Sequence, residues 1–221
     1  MDPSDHDRLR IGRLPRTPRG LVLMLHGGAE RGLHEIDQRS LSYRRALWMS
    51  DSIAGPLARA QVGTAVLRFK VKGWNAGHAD GPSPVADARE ALARLRGQHP
   101  DLPIVLLGHS MGGRTAAWVA DEPGVVGIVG IAPWWPADDP VRPLAGKHVV
   151  GVHGRRDRIT SARATERYLE RARAVAGSTR FVDMGPRGHY MLSGVRRWNA
   201  AAIRESLGIL ERHASTSPPG P

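Results

Sequence analysis

The 221-residue sequence contains no cysteine, which excludes disulfide bridges, thiolate metal sites and cysteine nucleophiles. It also lacks any apolar run near the ~20 residues of a membrane span. The polar N-terminal segment 1–7 has no basic-then-apolar pattern of a signal peptide. We therefore expect a cytoplasmic protein that does not associate with membranes. A chain of this length predicts one domain with a full core of its own.

Lysine is scarce: of the 32 basic residues only Lys70, Lys72 and Lys147 are lysines, and the rest are arginines. The formal net charge of +11 therefore comes mainly from arginine. A basic protein invites a nucleic-acid hypothesis. However, the arginines are scattered along the chain, often beside Asp or Glu, and aromatic residues that could stack on bases are few. The composition therefore predicts no nucleic-acid partner.

Short, continuous apolar runs indicate strands that are buried on both faces of a parallel sheet. They alternate with patterns typical of helices, which predicts an α/β fold with a mostly parallel, doubly wound sheet of about six to seven strands. We expect one domain over residues 8–212 and a disordered tail over 213–221. The predicted strands are 21–25, 65–69, 104–107, 125–131 and 149–152, with weaker candidates at 179–183 and 8–14. The predicted helices are 42–60, 83–97, 114–120, 161–176 and 195–212.

The stretch "GHSMGGRT", residues 108–115, fits two motifs that both lie between a strand and a helix. As G-x-S-x-G it presents Ser110 as a nucleophile on a sharp turn. As G-x-x-x-x-G-K-[ST] it is a phosphate-binding loop with Arg114 in the place of lysine. The phosphate interpretation also lacks an acidic residue after the next strand to help hold magnesium. We therefore favour the nucleophile and expect no nucleotide cofactor.

A serine nucleophile needs a base, and the base needs an acid that orients it. Asp157 follows the strand at 149–152, and His189 follows the strand at 179–183, so both lie at the same sheet edge as Ser110. The chain order serine, acid, histidine agrees with the G-x-S-x-G architecture. Other carboxylates compete for the role of the acid: Asp138, Asp139 and Asp183.

The segments "LHGG", "GHSMGG", "HGRRD" and "GH" occur in an order that resembles the α/β-hydrolase superfamily, and the resemblance covers residues 18–212. The chain is most similar to small, lidless serine hydrolases of the dienelactone-hydrolase and esterase type. The resemblance implies Ser110 as nucleophile, His189 as base and Asp157 as orienting acid. It implies oxyanion donors at the N–H groups of Gly28 and Met111, and neither a metal nor another cofactor.

Two departures from the superfamily affect the expected architecture. Only about twenty residues precede the strand at 21–25, so one or both of the usual N-terminal strands are missing. The connection between the strands at 125–131 and 149–152 is too short for a cap domain, which predicts an open site.

The expected function is that of a serine hydrolase that cleaves a carboxylic ester, or a related acyl bond, of a small molecule. A non-catalytic binding protein with this fold and an acyltransferase with the same triad are the alternatives. Four aromatic residues lie at the expected site edge and are candidates for the substrate pocket, with plain packing as the alternative: Trp74, Trp134, Trp135 and Tyr190. His26 and His153 are expected to shape loops.

Overall fold

The computed structural model describes residues 8–77 and 81–216. Strands and helices alternate along most of the chain, as the apolar runs predict. The strands are β1 (Leu9–Ile11), β2 (Gly20–Leu25), β3 (Val62–Leu67), β4 (Ile104–His109), β5 (Val125–Ile131), β6 (His148–His153) and β7 (Ser178–Asp183). The helices are α1 (Leu41–Arg59), α2 (Ser83–Gln98), α3 (Met111–Trp118), α4 (Ala162–Ala172) and α5 (Val195–Thr216).

The seven strands form one sheet in the order β1-β3-β2-β4-β5-β6-β7. All neighbouring pairs are parallel except β1 with β3, where Leu9 opposes Leu67 in antiparallel register. The prediction of a mostly parallel α/β sheet is confirmed. One strand precedes β2 within the described residues, so one of the two usual N-terminal strands has no counterpart there.

Helices cover both faces of the sheet because the strands are apolar on both sides. Alternate residues of β2 point to opposite faces: Leu23 and Leu25 join the core beneath α2, α3 and α4, whereas Val22 and Met24 join the core beneath α1 and α5. The carboxyl ends of the parallel strands consequently lie at one edge, where the loops after β2, β4, β6 and β7 meet.

Several predicted boundaries differ from the structure. The strand predicted at 65–69 is β3, Val62–Leu67, and Phe69 lies beyond it, where its backbone N–H donates to His26 Nε2 at 3.0 Å. Helix α4 ends at Ala172 rather than at 176, because the chain then tightens into a turn. Helix α5 continues to Thr216, past the predicted boundary at 212, and residues 217–221 of the predicted tail lie outside the described part.

The connection between β5 and β6 carries no cap. It holds a single 3-10 turn, Arg142–Leu144, whose Leu144 is buried in the core. Within the described ranges, no helix has the length and apolar character that crossing a membrane requires.

Candidate active site

Ser110 lies at the sharp turn between β4 and α3. Its backbone has φ 53° and ψ −117°, a left-handed conformation that a non-glycine residue adopts only when its surroundings impose it. Two backbone hydrogen bonds hold this conformation. The Ser110 N–H donates to the Ile131 carbonyl at 3.1 Å, and the Ser110 carbonyl accepts from the N–H of Trp134 at 3.1 Å. The side chain is therefore held at the carboxyl edge of the sheet.

Glycine is required where the turn passes close to other backbone. A Cβ atom at Gly112 would lie 2.1 Å from the Leu25 carbonyl oxygen, and one at Gly108 would lie 2.3 Å from the Gly112 carbonyl oxygen. Both separations are far below van der Waals contact, so any side chain here would push α3 away from β2 and β4. The two glycines of the motif thus set the position of Ser110 relative to the sheet.

The structure brings Ser110, His189 and Asp157 together from three separate loops. His189 Nε2 lies 3.1 Å from Ser110 Oγ, and His189 Nδ1 lies 2.8 Å from Asp157 Oδ2. All three side chains are buried, with that of Asp157 only 1 % exposed. A proton can therefore pass from the hydroxyl to the imidazole while the carboxylate holds the other ring nitrogen.

Asp157 is saturated with hydrogen-bond donors. Its Oδ1 accepts from the backbone N–H groups of Ile159 and Thr160, both at 2.8 Å, and its Oδ2 also accepts from His153 Nε2 at 3.1 Å. Burial alone would raise the pKa of Asp157, but the hydrogen bonds from His153, from His189 and from the two backbone groups outweigh it and hold that pKa well below its usual value. The carboxyl group is consequently an anion at neutral pH.

Two further histidines brace the site from within the core. His109 Nε2 lies 3.0 Å from the His189 carbonyl oxygen and donates to it, and the two rings pack at 4.9 Å between centroids. His26 Nδ1 donates to the Gly27 carbonyl at 2.6 Å. Burial lowers the pKa of His109 to about 3 and that of His26 to about 4. Both are therefore neutral structural groups, as expected for His26.

The loop after β2 passes close to Ser110. A Cβ atom at Gly27 would lie 3.4 Å from Ser110 Cβ, and one at Gly28 would lie 2.6 Å from Met111 Sδ. The backbone N–H groups of Gly28 and Met111 donate to no protein acceptor in residues 8–77 and 81–216. The two N–H groups that were predicted to donate to the oxyanion thus lie in neighbouring segments beside Ser110.

The competing acids are engaged elsewhere. Asp139 forms a bidentate pair with Arg114, with 2.7 Å from Nε to Oδ2 and 2.6 Å from Nη2 to Oδ1. Asp183 pairs with Arg155 at 2.9 Å, and Asp138 is exposed. Asp157 is the carboxylate in contact with His189.

Arg114, the residue that suggested a phosphate-binding loop, is nearly buried beneath indole rings. Its Cζ lies 4.2 Å from the ring centroid of Trp74 and 4.3 Å from that of Trp134, a cation–π contact with each ring. Together with the ion pair to Asp139, these contacts give Arg114, a residue of α3, a structural role.

The four predicted pocket aromatics separate into two groups. Trp135 is buried, donates from Nε1 to the Gly113 carbonyl at 2.9 Å and stacks on Tyr168, which favours the alternative of plain packing in the core. Trp74 is 1 % exposed and packs on Arg114, so it offers a ligand no surface here either. Trp134 is half-buried, and Tyr190 is 51 % exposed beside His189.

The sequence analysis did not identify Thr160 as part of the site. Its hydroxyl lies 2.9 Å from Asp157 Oδ2, 3.1 Å from His189 Nδ1 and 3.2 Å from the Ala132 carbonyl oxygen. The signal was present as Asp157-x-x-Thr160, since an aspartate that accepts from backbone N–H groups two and three residues later forms a local turn. Such a turn carries Thr160 back to the carboxylate.

No group of three or more His, Asp or Glu side chains in the described ranges is arranged to hold a metal ion. The residues that meet at the sheet edge are suited instead to proton transfer and to nucleophilic attack by a hydroxyl.

Comparison with family models gives a match over residues 73–151 to the family described as serine aminopeptidase, S33. The match covers about a third of the chain, including Ser110 but neither Asp157 nor His189. Comparison with curated proteins finds no match.

Solved structures of several α/β hydrolases resemble the chain over most of its length at low sequence identity. An α/β serine hydrolase homologue from Coxiella burnetii has a TM-score of 0.66 at 17 % identity, over 89 % of this chain and 90 % of its own. A lidless α/β serine hydrolase from Xanthomonas campestris has a TM-score of 0.64 at 17 % identity, over 95 % and 89 %. The Butyrivibrio proteoclasticus protein Est1E, solved with bound ferulic acid, has a TM-score of 0.64 at 13 % identity, over 92 % and 96 %.

The chain therefore has the fold of the α/β-hydrolase superfamily, and the predicted resemblance to that superfamily is confirmed. One of the similar structures, that from Xanthomonas campestris, is described as having no lid.

Proposed function

We propose that the chain is a serine hydrolase that cleaves a carboxylic ester, or a related acyl bond, through an acyl-enzyme intermediate. The observation that carries the proposal is the series of contacts from Ser110 Oγ to His189 Nε2 at 3.1 Å and from His189 Nδ1 to Asp157 Oδ2 at 2.8 Å. The strained turn at Ser110 adds support, since backbone strain of this kind is held at functional sites.

In the proposed reaction Ser110 Oγ attacks the acyl carbon while its proton passes to His189 Nε2. The anionic Asp157 stabilises the imidazolium through the Nδ1 proton. The N–H groups of Gly28 and Met111 donate to the oxyanion. The bond between the acyl carbon and the leaving oxygen then breaks, and that oxygen takes the proton from His189. Water next attacks the acyl-serine while His189 takes a proton from it, and this proton returns to Ser110 Oγ as the carboxylic acid is released.

An ester substrate is proposed because the similar structures include Est1E, solved with ferulic acid, and a monoacylglycerol lipase from Paleococcus ferrophilus. Trp134, whose N–H donates to the Ser110 carbonyl, and Tyr190, which is half-exposed beside His189, are the predicted aromatics that we propose to line the substrate site.

The test is labelling by a fluorophosphonate probe combined with turnover of short- and medium-chain 4-nitrophenyl esters. We expect the wild type to be labelled, and Ser110→Ala to lose labelling and roughly 10⁴–10⁶-fold in kcat. Asp157→Asn should lose roughly 10⁴-fold, because the imidazole tautomer is no longer held. Ser215→Ala, which removes an exposed hydroxyl on α5, is the matched control and should behave as the wild type.

Labelling that persists in Ser110→Ala would overturn the assignment of the nucleophile. Absence of both labelling and turnover in the wild type would favour a binding protein. Product that partitions to an added alcohol at the expense of hydrolysis would identify an acyltransferase.

A further inference from the structure

A groove opens beside His189, between α1 and the segment that leads into α5. Its volume is about 130 Å³, and most of its lining is apolar. Tyr190 forms one wall, and its ring meets the ring of His189 edge-on at 5.4 Å between centroids. The lining includes Arg45, Trp48, Tyr190, Trp198 and Asn199. A molecule in this groove would lie next to the imidazole that serves Ser110.

Arg45 is the charged residue in the lining of this groove. It is half-buried, and its Cζ lies 5.1 Å from the ring centroid of Tyr190. No carboxylate of the described residues lies within 4.0 Å of its guanidinium. Burial lowers the pKa of Arg45, opposed by the phenol of Tyr190.

Two arginines that are buried more deeply than Arg45 are each paired with a carboxylate. Arg8 pairs with Asp87 at 2.8 Å, and Arg114 pairs with Asp139 at 2.6 Å. A cation removed from water without a partner is unfavourable unless an anion accompanies it. Arg45 has no such carboxylate, and it lines a groove in which a ligand can supply the anion.

Two residues in the lining of the same groove hold buried polar atoms. Trp198 Nε1 and Asn199 Oδ1 are buried and have no hydrogen-bond partner in the described residues. A group of this kind costs about 1–3 kcal/mol, so in a folded protein it calls for an explanation. A carboxylate ligand would offer an acceptor to the Trp198 N–H, whereas Asn199 Oδ1 requires a donor that a carboxylate does not supply.

The charge of Arg45 acts on a histidine that packs against His189. It contributes, after burial and His189, to the lowering of the pKa of His109, the ring that packs on His189 at 4.9 Å. Arg45 also lies over the ring of Tyr190, which in turn contacts the ring of His189, so an anion on Arg45 would lie on the far side of Tyr190 from His189 and could belong to the same substrate molecule.

We propose that Arg45 binds a carboxylate of the substrate, so that the preferred ester is one that carries a carboxylate group. The proposal rests on the proposed hydrolase function and deepens it. A guanidinium presents a planar fork of N–H donors that matches a carboxylate. One cation balances the single charge of a carboxylate, whereas a phosphate monoester would leave charge unmatched in an apolar groove. The exposed ring of Trp48 and the ring of Tyr190 then contact the apolar part of the same molecule.

The kinetic test uses two pairs of esters that differ in one charge. In one pair, 4-acetoxybenzoate and its methyl ester, the carboxylate lies on the leaving group. In the other, mono-4-nitrophenyl glutarate and 4-nitrophenyl pentanoate, it lies on the acyl group. We expect the wild type to prefer the charged member of at least one pair in kcat/KM, and Arg45→Gln to reduce that preference roughly 10- to 100-fold.

Two variants control for charge and folding. Arg45→Lys keeps the charge without the fork and should retain part of the preference. Arg44→Gln removes the neighbouring arginine on α1, which lies over Trp48 at 5.2 Å and outside the lining of the groove, and should leave the preference unchanged.

A binding measurement separates this proposal from the proposed function. In the Ser110→Ala variant, 4-nitrobenzoate should quench tryptophan fluorescence at lower concentration than 4-nitrobenzyl alcohol, and the difference should vanish when Arg45→Gln is added. Wild-type protein that hydrolyses neither ester of either pair contradicts the hydrolase, and the quenching result then decides the carboxylate site alone. Equal quenching by the two probes, or a charge preference that Arg45→Gln does not change, overturns the proposal.

Discussion

The imidazole of His153 donates to the same oxygen of Asp157 that contacts His189. His153 Nε2 lies 3.1 Å from Asp157 Oδ2, while His153 Nδ1 lies 2.9 Å from Thr165 Oγ1. Because Nε2 carries the proton that it donates to the carboxylate, the other ring nitrogen, Nδ1, can accept from the threonine hydroxyl. The carboxylate is thus clamped between two imidazoles, and we infer that His153 is a positioning residue for Asp157.

Replacing His153 with phenylalanine should lower kcat for an ester by roughly 10- to 100-fold with little change in KM, because a buried carboxylate loses one donor and its orientation. The same change should raise the pKa of Asp157, because its carboxylate loses a hydrogen bond that favours the anion. The acidic limb of the kcat profile against pH should therefore move to higher pH. The control is Thr165→Val, which removes only the partner of Nδ1 and should have a smaller effect. An unchanged pH profile in His153→Phe would contradict the positioning role.

Replacing Gly112 with alanine should destabilise the fold by about 1–3 kcal/mol or more, because the new Cβ would lie 2.1 Å from the Leu25 carbonyl oxygen. The free energy of unfolding in urea measures the change. The matched control is Gly97→Ala in α2, where an added Cβ meets nothing within 4 Å. This control should stabilise the fold by about 0.5–1 kcal/mol. Equal effects at the two glycines would refute close approach as the reason for glycine in the turn.

Asp139→Asn should destabilise the fold by about 3–5 kcal/mol, since it leaves the charge of Arg114 buried without its counter-ion. Replacing both residues, as Arg114→Met with Asp139→Leu, should recover part of that loss because no unpaired charge remains. Glu170→Gln, which breaks the exposed pair with Arg173, should cost less than about 1 kcal/mol. Urea unfolding of the three variants checks these values, and a double variant no better than Asp139→Asn would argue against the unpaired charge as the cause.

Stability should fall as the pH decreases from about 6.5 towards 4. The folded-state pKa values of His26, about 4, and His109, about 3, lie below the usual value of 6.5. In this window the unfolded chain binds protons that the folded chain excludes. The contribution of each histidine is therefore fully present above the unfolded pKa and is lost as the pH falls towards the folded one.

Urea unfolding at a series of pH values measures this slope. Each histidine should contribute up to about 1.4 kcal/mol per pH unit, so His26→Gln and His109→Gln should each flatten the dependence. A slope that neither variant changes would show that other groups govern the acid sensitivity.

Much of the architecture is predictable because continuous apolar runs have few alternatives to a strand buried on both faces. The predicted bounds of β5 coincide with those of the structure, and β2, β4, β6 and β7 differ by one or two residues at their ends. The prediction placed β3 at 65–69, too far along the chain, because Phe69 extends the apolar run. In the structure Phe69 lies after the strand and packs on the ring of His26, with 4.6 Å between ring centroids. Apolar character predicts that a residue is buried. Whether that residue lies in a strand or in a loop depends on what it packs against.

The loops that carry Ser110, Asp157 and His189 follow from the same logic, since each comes directly after a predicted parallel strand. The neighbours of these residues do not follow from it. Trp135 packs on Tyr168, and Trp74 on Arg114, because of sheet twist and helix placement, which local patterns do not encode.

By itself the sequence determined the α/β alternation and the chain order of serine, acid and histidine, because periodicity and turn chemistry are local properties. Only the tertiary structure decided which of four aspartates contacts His189, and that Arg45 lines a groove without a carboxylate beside it. Those outcomes depend on distances between residues far apart in the chain. Asp139 and Arg114 are 25 positions apart and form an ion pair, whereas Arg45 and Tyr190 meet at a groove that has room for a ligand.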